Sequence, residues 1–395
     1  MKYYFILGNN ASLSAAEVSQ VYPDGQNWRL LAQDFLIGDL PHDIDAPSEI
    51  GRLGGIIKIG KVVSIIKSGN NAGLLRDIFE IAEKKLASTT GGKFNFGFSS
   101  YGKRYFNKKD YGLKLKKHFQ SQKISSRFVV SQENTLSSVV VSENKLLKRG
   151  VEIVLAGDGD NIIIGETLAV QPFKDLSLRD YGRPVRDDLS GMLPPKLAQI
   201  MLNFTGPIND NVTVLDPFCG SGTVLTEALL MGAGQIIGSD ISQAAIEASH
   251  KNLSWVGEIY KTGSANCRLF TASVEKLSAF IKSDSVDAIV TEPYLGPQRG
   301  RISFQAVIKD LESLYSTAIG EFYKIIKTGK RVVMVWPLYY GERPISPNYT
   351  GFKIISVVPD ELKASPFIKI SERNTLVYGR PGQKVYREIV VLMKN

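Results

Sequence analysis

Cysteine is almost missing from this chain: only Cys219 and Cys267 occur in 395 residues. Two thiols are too few for a disulfide framework or a four-thiolate zinc site, so no metal is expected and a reducing compartment suits the chain. Long apolar runs are missing too. No stretch approaches the roughly 18 unbroken apolar residues of a membrane span, and the opening MKYYFILGNN reaches Asn9 before a signal-peptide core could form. A soluble, cytoplasmic chain with no membrane partner is the expectation. Internal repeats and low-complexity tracts are also lacking, which leaves ordinary globular domains.

What the chain does have is 43% hydrophobic and 22% charged residues, enough apolar surface for more than one core. Its length is about twice that of a typical domain, so two or three domains are expected. Charge of one sign is in excess, with a formal net charge of +9 and a pI near 9.2. Counterion release draws such a chain towards polyanions, which makes nucleic acid the expected partner.

The opening reads as α+β. Tyr3 to Gly8 is a strand and Ser12 starts a capped helix, followed by short apolar runs at Phe35-Leu36-Ile37, Ile56 to Ile59 and Val62 to Ile66. A small mixed domain to about residue 70 fits. Leu74, Leu75, Ile78, Phe79, Ala82 and Leu86 form a helical stripe that Thr89-Thr90-Gly91-Gly92 breaks. A second unit follows, with strands at Phe94 to Phe98, Phe128 to Val130, Val139 to Val141 and Val151 to Leu155, and a basic helix at Gly112 to Phe119. From Lys93 to Gly150 there are thirteen Lys and Arg against three acids. Among them Lys103, Arg104, Lys108, Lys109, Lys114, Lys117 and Arg127, interleaved with Tyr101, Tyr105, Phe106 and Tyr111, would grip phosphates and stack on bases. The alternative is a solvated basic face whose rings lie in the core. Residues 171–195 read as a linker, because Pro172, Pro184, Pro194 and Pro195 interrupt a polar segment. From 196 to 395 strand and helix patterns alternate, the signature of a parallel, doubly wound α/β sheet.

The most specific segment runs from Val214 to Ala228. An apolar strand leads into Asp216-Pro217-Phe218-Cys219-Gly220-Ser221-Gly222-Thr223 and then a helix, which is how a doubly wound fold places a ligand at its switch point. A nicotinamide dinucleotide is the natural rival ligand. Asp216 argues against it, since a carboxylate repels phosphates but holds the ammonium of a methionine moiety, and Leu225 stands where a third glycine belongs. Asp240, followed by Ile241 after the next strand, is placed to accept from ribose hydroxyls. These features favour S-adenosylmethionine.

Asp216 to Thr223 resembles the first motif of class I nucleic-acid amino-methyltransferases, and Asp240 their ribose-binding acid, over roughly residues 180–395. Arg179 to Asp187, Gly191 to Ala198 and Tyr378 to Ile389 are similar to segments of the THUMP-containing tRNA guanine-N2 methyltransferases. The resemblance implies a Rossmann-like methyltransferase domain preceded by a ferredoxin-like unit over 1–70 and a THUMP domain over 71–170. It implies S-adenosylmethionine as cofactor, tRNA or another structured RNA as partner, and N2-methylation of a guanosine of the position-10 type as the reaction. A helper subunit is not indicated.

Two motifs depart from that family. Val286 to Val290 leads into Thr291-Glu292-Pro293-Tyr294, where relatives carry an acid or amide, two prolines and an aromatic; here the acid is Glu and one proline is gone. Glu292 would orient the N–H bonds of an exocyclic amine, Pro293 would stiffen the loop, and Tyr294 would stack on a base turned out of its helix. At Leu269 to Val274, Ser273 stands where relatives place an adenine-binding Asp, with Val274 beside it. The competing readings are a DNA adenine-N6 methyltransferase and a non-catalytic RNA-binding protein that retained the fold.

Overall fold

The computed structural model describes residues 1–89, 91–186, 192–262, 266–297, 304–339, 343–379 and 382–395. Thr90, residues 187–191, Arg380 and Pro381, which the sequence reading used as breaks or as parts of the resemblance, lie outside the described residues. The chain begins with β1 (Lys2–Leu7), α1 (Ala11–Val21), β2 (Gln26–Ala32), β3 (Phe35–Asp39), α2 (Ala46–Glu49) and β4 (Ile56–Lys67). There follow α3 (Asn71–Ala87), β5 (Phe94–Tyr101), α4 (Lys108–Ser121), β6 (Ser126–Val129), α5 (Ser138–Glu143), β7 (Gly150–Asp158) and β8 (Asn161–Val170). Next are α6 (Phe173–Tyr181), α7 (Pro195–Asn203), β9 (Thr213–Asp216), α8 (Thr223–Leu230), β10 (Gln235–Asp240), α9 (Gln243–Tyr260) and β11 (Asn266–Thr271). The last elements are α10 (Leu277–Phe280), β12 (Val286–Thr291), α11 (Phe304–Ile325), β13 (Ile326–Tyr339), β14 (Phe352–Ile354), α12 (Asp360–Lys363), β15 (Leu376–Tyr378) and β16 (Val385–Lys394). They divide into two compact units, one built mainly from residues 22–173 and one mainly from 174–359 and 369–395.

The first unit holds one eight-stranded sheet in the order β2-β3-β1-β4-β8-β7-β5-β6. Strands from both sides of the expected boundary near residue 70 join it. The twelve-residue β4 pairs with β1 along its first half and with β8 from Lys58↔Val170 to Lys67↔Asn161. Residues 1–70 and 71–170 therefore share a sheet. Phe94, Phe96, Ile153 and Ile164 of the sheet pack with Leu74 and Ile78 of α3 and Leu115 and Phe119 of α4. Burying such side chains contributes about 1.5–3 kcal/mol each.

Three local expectations are corrected here. Val139 to Val141 is helical in α5, because the Ser137 hydroxyl accepts the Val140 N–H at 3.2 Å and the single turn buries Val141 against Val129, Leu136 and Leu146. The cap of α1 is Asn10, whose Oδ1 accepts the Leu13 N–H at 3.0 Å, and Ser12 lies inside the helix. The segment expected as a connector begins with α6, which belongs to the second unit: Arg179 donates to both oxygens of the buried Glu227 on α8, at 2.7 and 3.1 Å. A buried carboxylate demands a cation, and α6 supplies it.

The second unit holds a sheet in the order β11-β10-β9-β12-β13-β16-β14, with β15 on β16. Strands β11 to β13 run parallel, while β16 is antiparallel to β13, β14 and β15. This is the expected doubly wound, Rossmann-like sheet. Its core is buried on both faces, as Val286, Ile289, Val290 and Val332 to Val335 show. Strand order reverses between β9 and β12, so a crevice opens at the carboxyl ends of these strands.

Candidate active site

A cavity of about 1000 Å³ occupies that crevice. All the sequence-predicted cofactor and acceptor residues line it except Gly222; Asp216, Gly220, Asp240, Ser273, Glu292 and Tyr294 are among them. Gly222 acts from behind. It sits in the left-handed region at φ 82° as the N-cap of α8, and a Cβ there would lie 2.9 Å from Ser249 Oγ. Gly220, at φ 51°, faces open space. Thus one glycine lets the loop turn and approach α9, and the other leaves room for a ligand.

Side chains that the sequence reading did not single out hold this loop. Ser249 on α9 donates to the Gly220 carbonyl at 2.8 Å. Three residues on, Asn252 donates to the Ser221 carbonyl at 2.8 Å and exchanges two bonds with the Val185 backbone at 3.0 Å. Arg183 Nη1 donates to Thr223 Oγ1 at 2.7 Å. For Ser249 and Asn252 the advance signal was helical spacing, which puts them on one face of α9; Arg183 stood in the Arg179 to Asp187 segment of the resemblance.

The two acids at the strand ends differ sharply. Asp216 is 3% exposed, and its Oδ1 accepts from Thr291 Oγ1 at 2.7 Å and from the Phe218 N–H at 3.2 Å. No cation among the described residues pairs with it. Burial pushes its carboxyl up to about 7, against the opposing effect of those two hydrogen bonds, and the nearby Asp240 and Glu292 add to the rise. Asp240 instead accepts the Gly220 N–H at 3.0 Å and the Ser242 N–H at 2.9 Å, one on each oxygen. Asp216, buried without a counter-charge among the described residues, and Asp240 beside it fit a ligand that brings positive charge. Cys219 lies behind the loop, and burial pushes its thiol up, so it is no nucleophile.

The acceptor side is a loop pinned from below. Tyr315 Oη on α11 donates to the Tyr294 carbonyl at 2.9 Å, and Tyr339 Oη on β13 donates to the Leu295 carbonyl at 2.6 Å. Pro293 is buried, while Tyr294 remains 60% exposed beside the cavity, an arrangement that leaves its ring face open. Glu292 does not stand alone: Arg387 of β16 donates to both its oxygens, at 2.5 and 3.0 Å. Ser273 caps a short 3₁₀ turn without a side-chain bond, and with the buried Val274 it edges the cavity. Ile241 is 76% exposed there.

In the first unit, Lys103, Lys109, Lys114, Lys117 and Arg127 are exposed. Helix α4 buries Gly112, Leu115 and Phe119 and turns Lys109, Lys114, Lys116 and Lys117 to solvent. Lys114 pairs with Asp110 at 2.8 Å, Arg104 is half-buried and bonded to Ser68 Oγ, and Lys108 donates to the Asn134 carbonyl while burial lowers its ammonium. The rings do not all share that surface. Tyr101 and Phe106 are core residues and Tyr111 packs against the cluster that holds Phe106, which leaves Tyr105, 84% exposed, as the free ring. Among the described residues no group of acids, histidines and cysteines could hold a metal, and no helix is long and apolar enough to cross a membrane.

Known proteins resemble this chain in the same region. Residues 183–339 match the UPF0020 family, described as an RMKL-like methyltransferase domain. A tRNA (guanine(10)-N2)-dimethyltransferase of Methanothermobacter thermautotrophicus is 31% identical over 153 residues, 38% of this chain and 40% of that protein. One of the same description from Pyrococcus abyssi is 27% identical over 180 residues, 45% of this chain and 46% of that protein. The match thus spans less than half the length of either relative. In fold, the crystal structure of TrmN from Thermus thermophilus aligns over 100% of both chains with a TM-score of 0.54 at 17% identity.

Proposed function

We propose that this chain, whose residues 183–339 match a methyltransferase domain, transfers a methyl group from S-adenosylmethionine to the exocyclic N2 of a guanosine in tRNA. The observation that carries this reading is the buried Asp216 carboxylate, without a cation of its own among the described residues, lining a crevice with Asp240 and Glu292. The printed descriptions of the relatives support the choice of tRNA and of guanine N2.

When bound, S-adenosylmethionine supplies a methyl carbon already activated by its sulfonium. Asp216 would hold the ammonium of the methionine moiety, Asp240 would accept from the ribose hydroxyls, and Ser273 with Val274 would border the adenine. Phe218 and the Gly220 bend would give the backbone a close approach to the ligand. On the other wall, Glu292 and the loop carbonyls accept N–H bonds of the base amine, whose lone pair is otherwise delocalised into the ring, and Tyr294 offers a stacking face. The amine nitrogen forms the new N–C bond as the S–C electron pair returns to sulfur, and the nitrogen then sheds one proton. Orientation provides much of the rate in such a displacement.

The first unit serves in this reading as the RNA grip, with a ferredoxin-like start and a THUMP-type continuation on one sheet. The exposed lysines of α4, with Lys103 and Arg127, are the phosphate contacts. The test is incubation with labelled S-adenosylmethionine and bulk tRNA, digestion to nucleosides and chromatography. N2-methylguanosine or its dimethyl form is the expected product. Label found only in DNA N6-methyladenine would replace the reading with a DNA enzyme, and no label together with no cofactor binding at millimolar concentration would leave an RNA-binding protein.

A further inference from the structure

Glu292 and Arg387 lie 95 positions apart in sequence and meet as a fork-to-fork ion pair. Each side chain is 13% exposed, so the pair is largely withdrawn from solvent. Arg387 sits on β16 opposite Pro337 of β13 and Tyr378 of β15. Its guanidinium therefore reaches across β13 to the loop that leaves β12. Burial alone would lower that guanidinium; the hydrogen bonds and charge of Glu292 outweigh it and hold it above its ordinary value.

The chemistry of the pair is one-sided. An ionised carboxylate has about four lone-pair sites, and the guanidinium takes one on each oxygen. One site per oxygen remains, and Glu292 borders the cavity. The fork takes the two parallel lone pairs; the two that remain point away from each other, so one of them can face the cavity and accept a single N–H of a base amine.

We propose that Arg387 is a positioning residue for the acceptor base: by clamping Glu292 it sets the reach and plane of the carboxylate so that a remaining lone pair on the cavity side accepts an N–H of the base amine. The inference rests on the methyl-transfer reading. The clamp also accounts for the extra methylene. A Glu in the acid slot is longer and looser than an Asp, and a bidentate partner removes the added rotational freedom. Lys cannot fully replace it, because an ammonium lacks the planar fork.

The experiment is a double-mutant cycle of R387M, E292A and the double variant, with R387K as a conservative control. Methyl transfer to tRNA gives kcat and KM, and calorimetry with S-adenosylhomocysteine gives cofactor affinity. R387M is expected to lower kcat about 10- to 100-fold through misorientation, with KM for tRNA and cofactor affinity each within about 3-fold of wild type. R387K recovers part of the loss. In the E292A background the same substitution changes kcat by less than about 2-fold, since nothing is left to position. Equal losses in both backgrounds, or an unchanged kcat in R387M, overturn the proposal. Should R387M lose cofactor binding through misfolding, R387K against E292A/R387K makes the same comparison, with additive losses again the overturning result. A wild-type protein that transfers no methyl group to tRNA fails the functional reading and the inference with it, whereas an active wild type with an additive cycle fails the inference alone.

Discussion

Replacing Asp216 with Asn should remove a pH dependence that wild-type cofactor binding shows between pH 5.5 and 7. Burial raises this carboxyl from 3.8 to about 7 in the free protein. The folded state then holds the proton more tightly than the unfolded state, so stability falls as pH rises from 3.8 and levels off above 7, by about 4 kcal/mol at 1.36 kcal/mol per unit. A cationic ligand reverses the preference. It needs the ionised acid, so below pH 7 each binding event must expel a proton, and affinity falls with acidity. With half the sites ionised at pH 7 and about 3% at pH 5.5, the association constant drops by about 15-fold. The ligand's own α-amino group, with a pKa of about 7.7–8.0, stays charged throughout this window. Asp216→Asn should bind about 10- to 100-fold more weakly at pH 7.5, the loss of a charged hydrogen bond, with no slope below pH 7. Its apo form should be the more stable of the two at pH 8. Calorimetry with S-adenosylhomocysteine in buffers of different ionisation heat reads both the affinity and the released proton. A flat wild-type profile from pH 5.5 to 7, or an equal slope in the Asn variant, would refute the argument that this buried acid waits for a cation.

Two further substitutions probe the loop and the RNA grip. Gly222→Ala places a Cβ 2.9 Å from Ser249 Oγ at a left-handed φ of 82°; it should cost about 1–2 kcal/mol in chemical denaturation and weaken cofactor binding, while Gly232→Ala, at φ 89° with open space around it, should show only the backbone cost. Changing Lys109 and Lys117, both exposed on α4, to Gln should lower the slope of log affinity for tRNA against log salt by up to about 2, at about 0.7–0.9 per phosphate contact, with cofactor affinity unchanged; an unaltered slope would place the RNA elsewhere.

The parts of the site that the sequence made legible are the ones that are local in chain. Asp216, Gly220, Gly222 and Asp240 belong to one strand, turn, helix and strand in succession, and each residue type has a steric or electrostatic reason to stand where it does. The same is true of the parallel strands, whose Val and Ile runs have few alternatives once both faces are buried. Arg387 was visible only as part of a resemblance, because its meeting with Glu292 depends on β16 inserting antiparallel beside β13, a register no local pattern announces. Ser249 and Asn252 were missed because polar residues on a helix face look solvated until the facing loop is known. The aromatic residues beside the lysines illustrate the opposite error. Tyr101 and Phe106 share a segment with the basic side chains, yet strand alternation and the loop path send them inwards. Val139 to Val141 reads as a strand by propensity, and a serine cap with one apolar pocket outweighs that preference.

Asp240 ties the glycine bend to the end of the neighbouring strand by accepting the Gly220 and Ser242 amides at once. The bend is shaped before any ligand arrives, so its ordering entropy is spent during folding and little remains to be lost on association. Cofactor capture should therefore be quick and leave the backbone of this bend nearly unmoved, and in the proposed methyl transfer any slow step would fall to the RNA, whose target base would have to leave its stack.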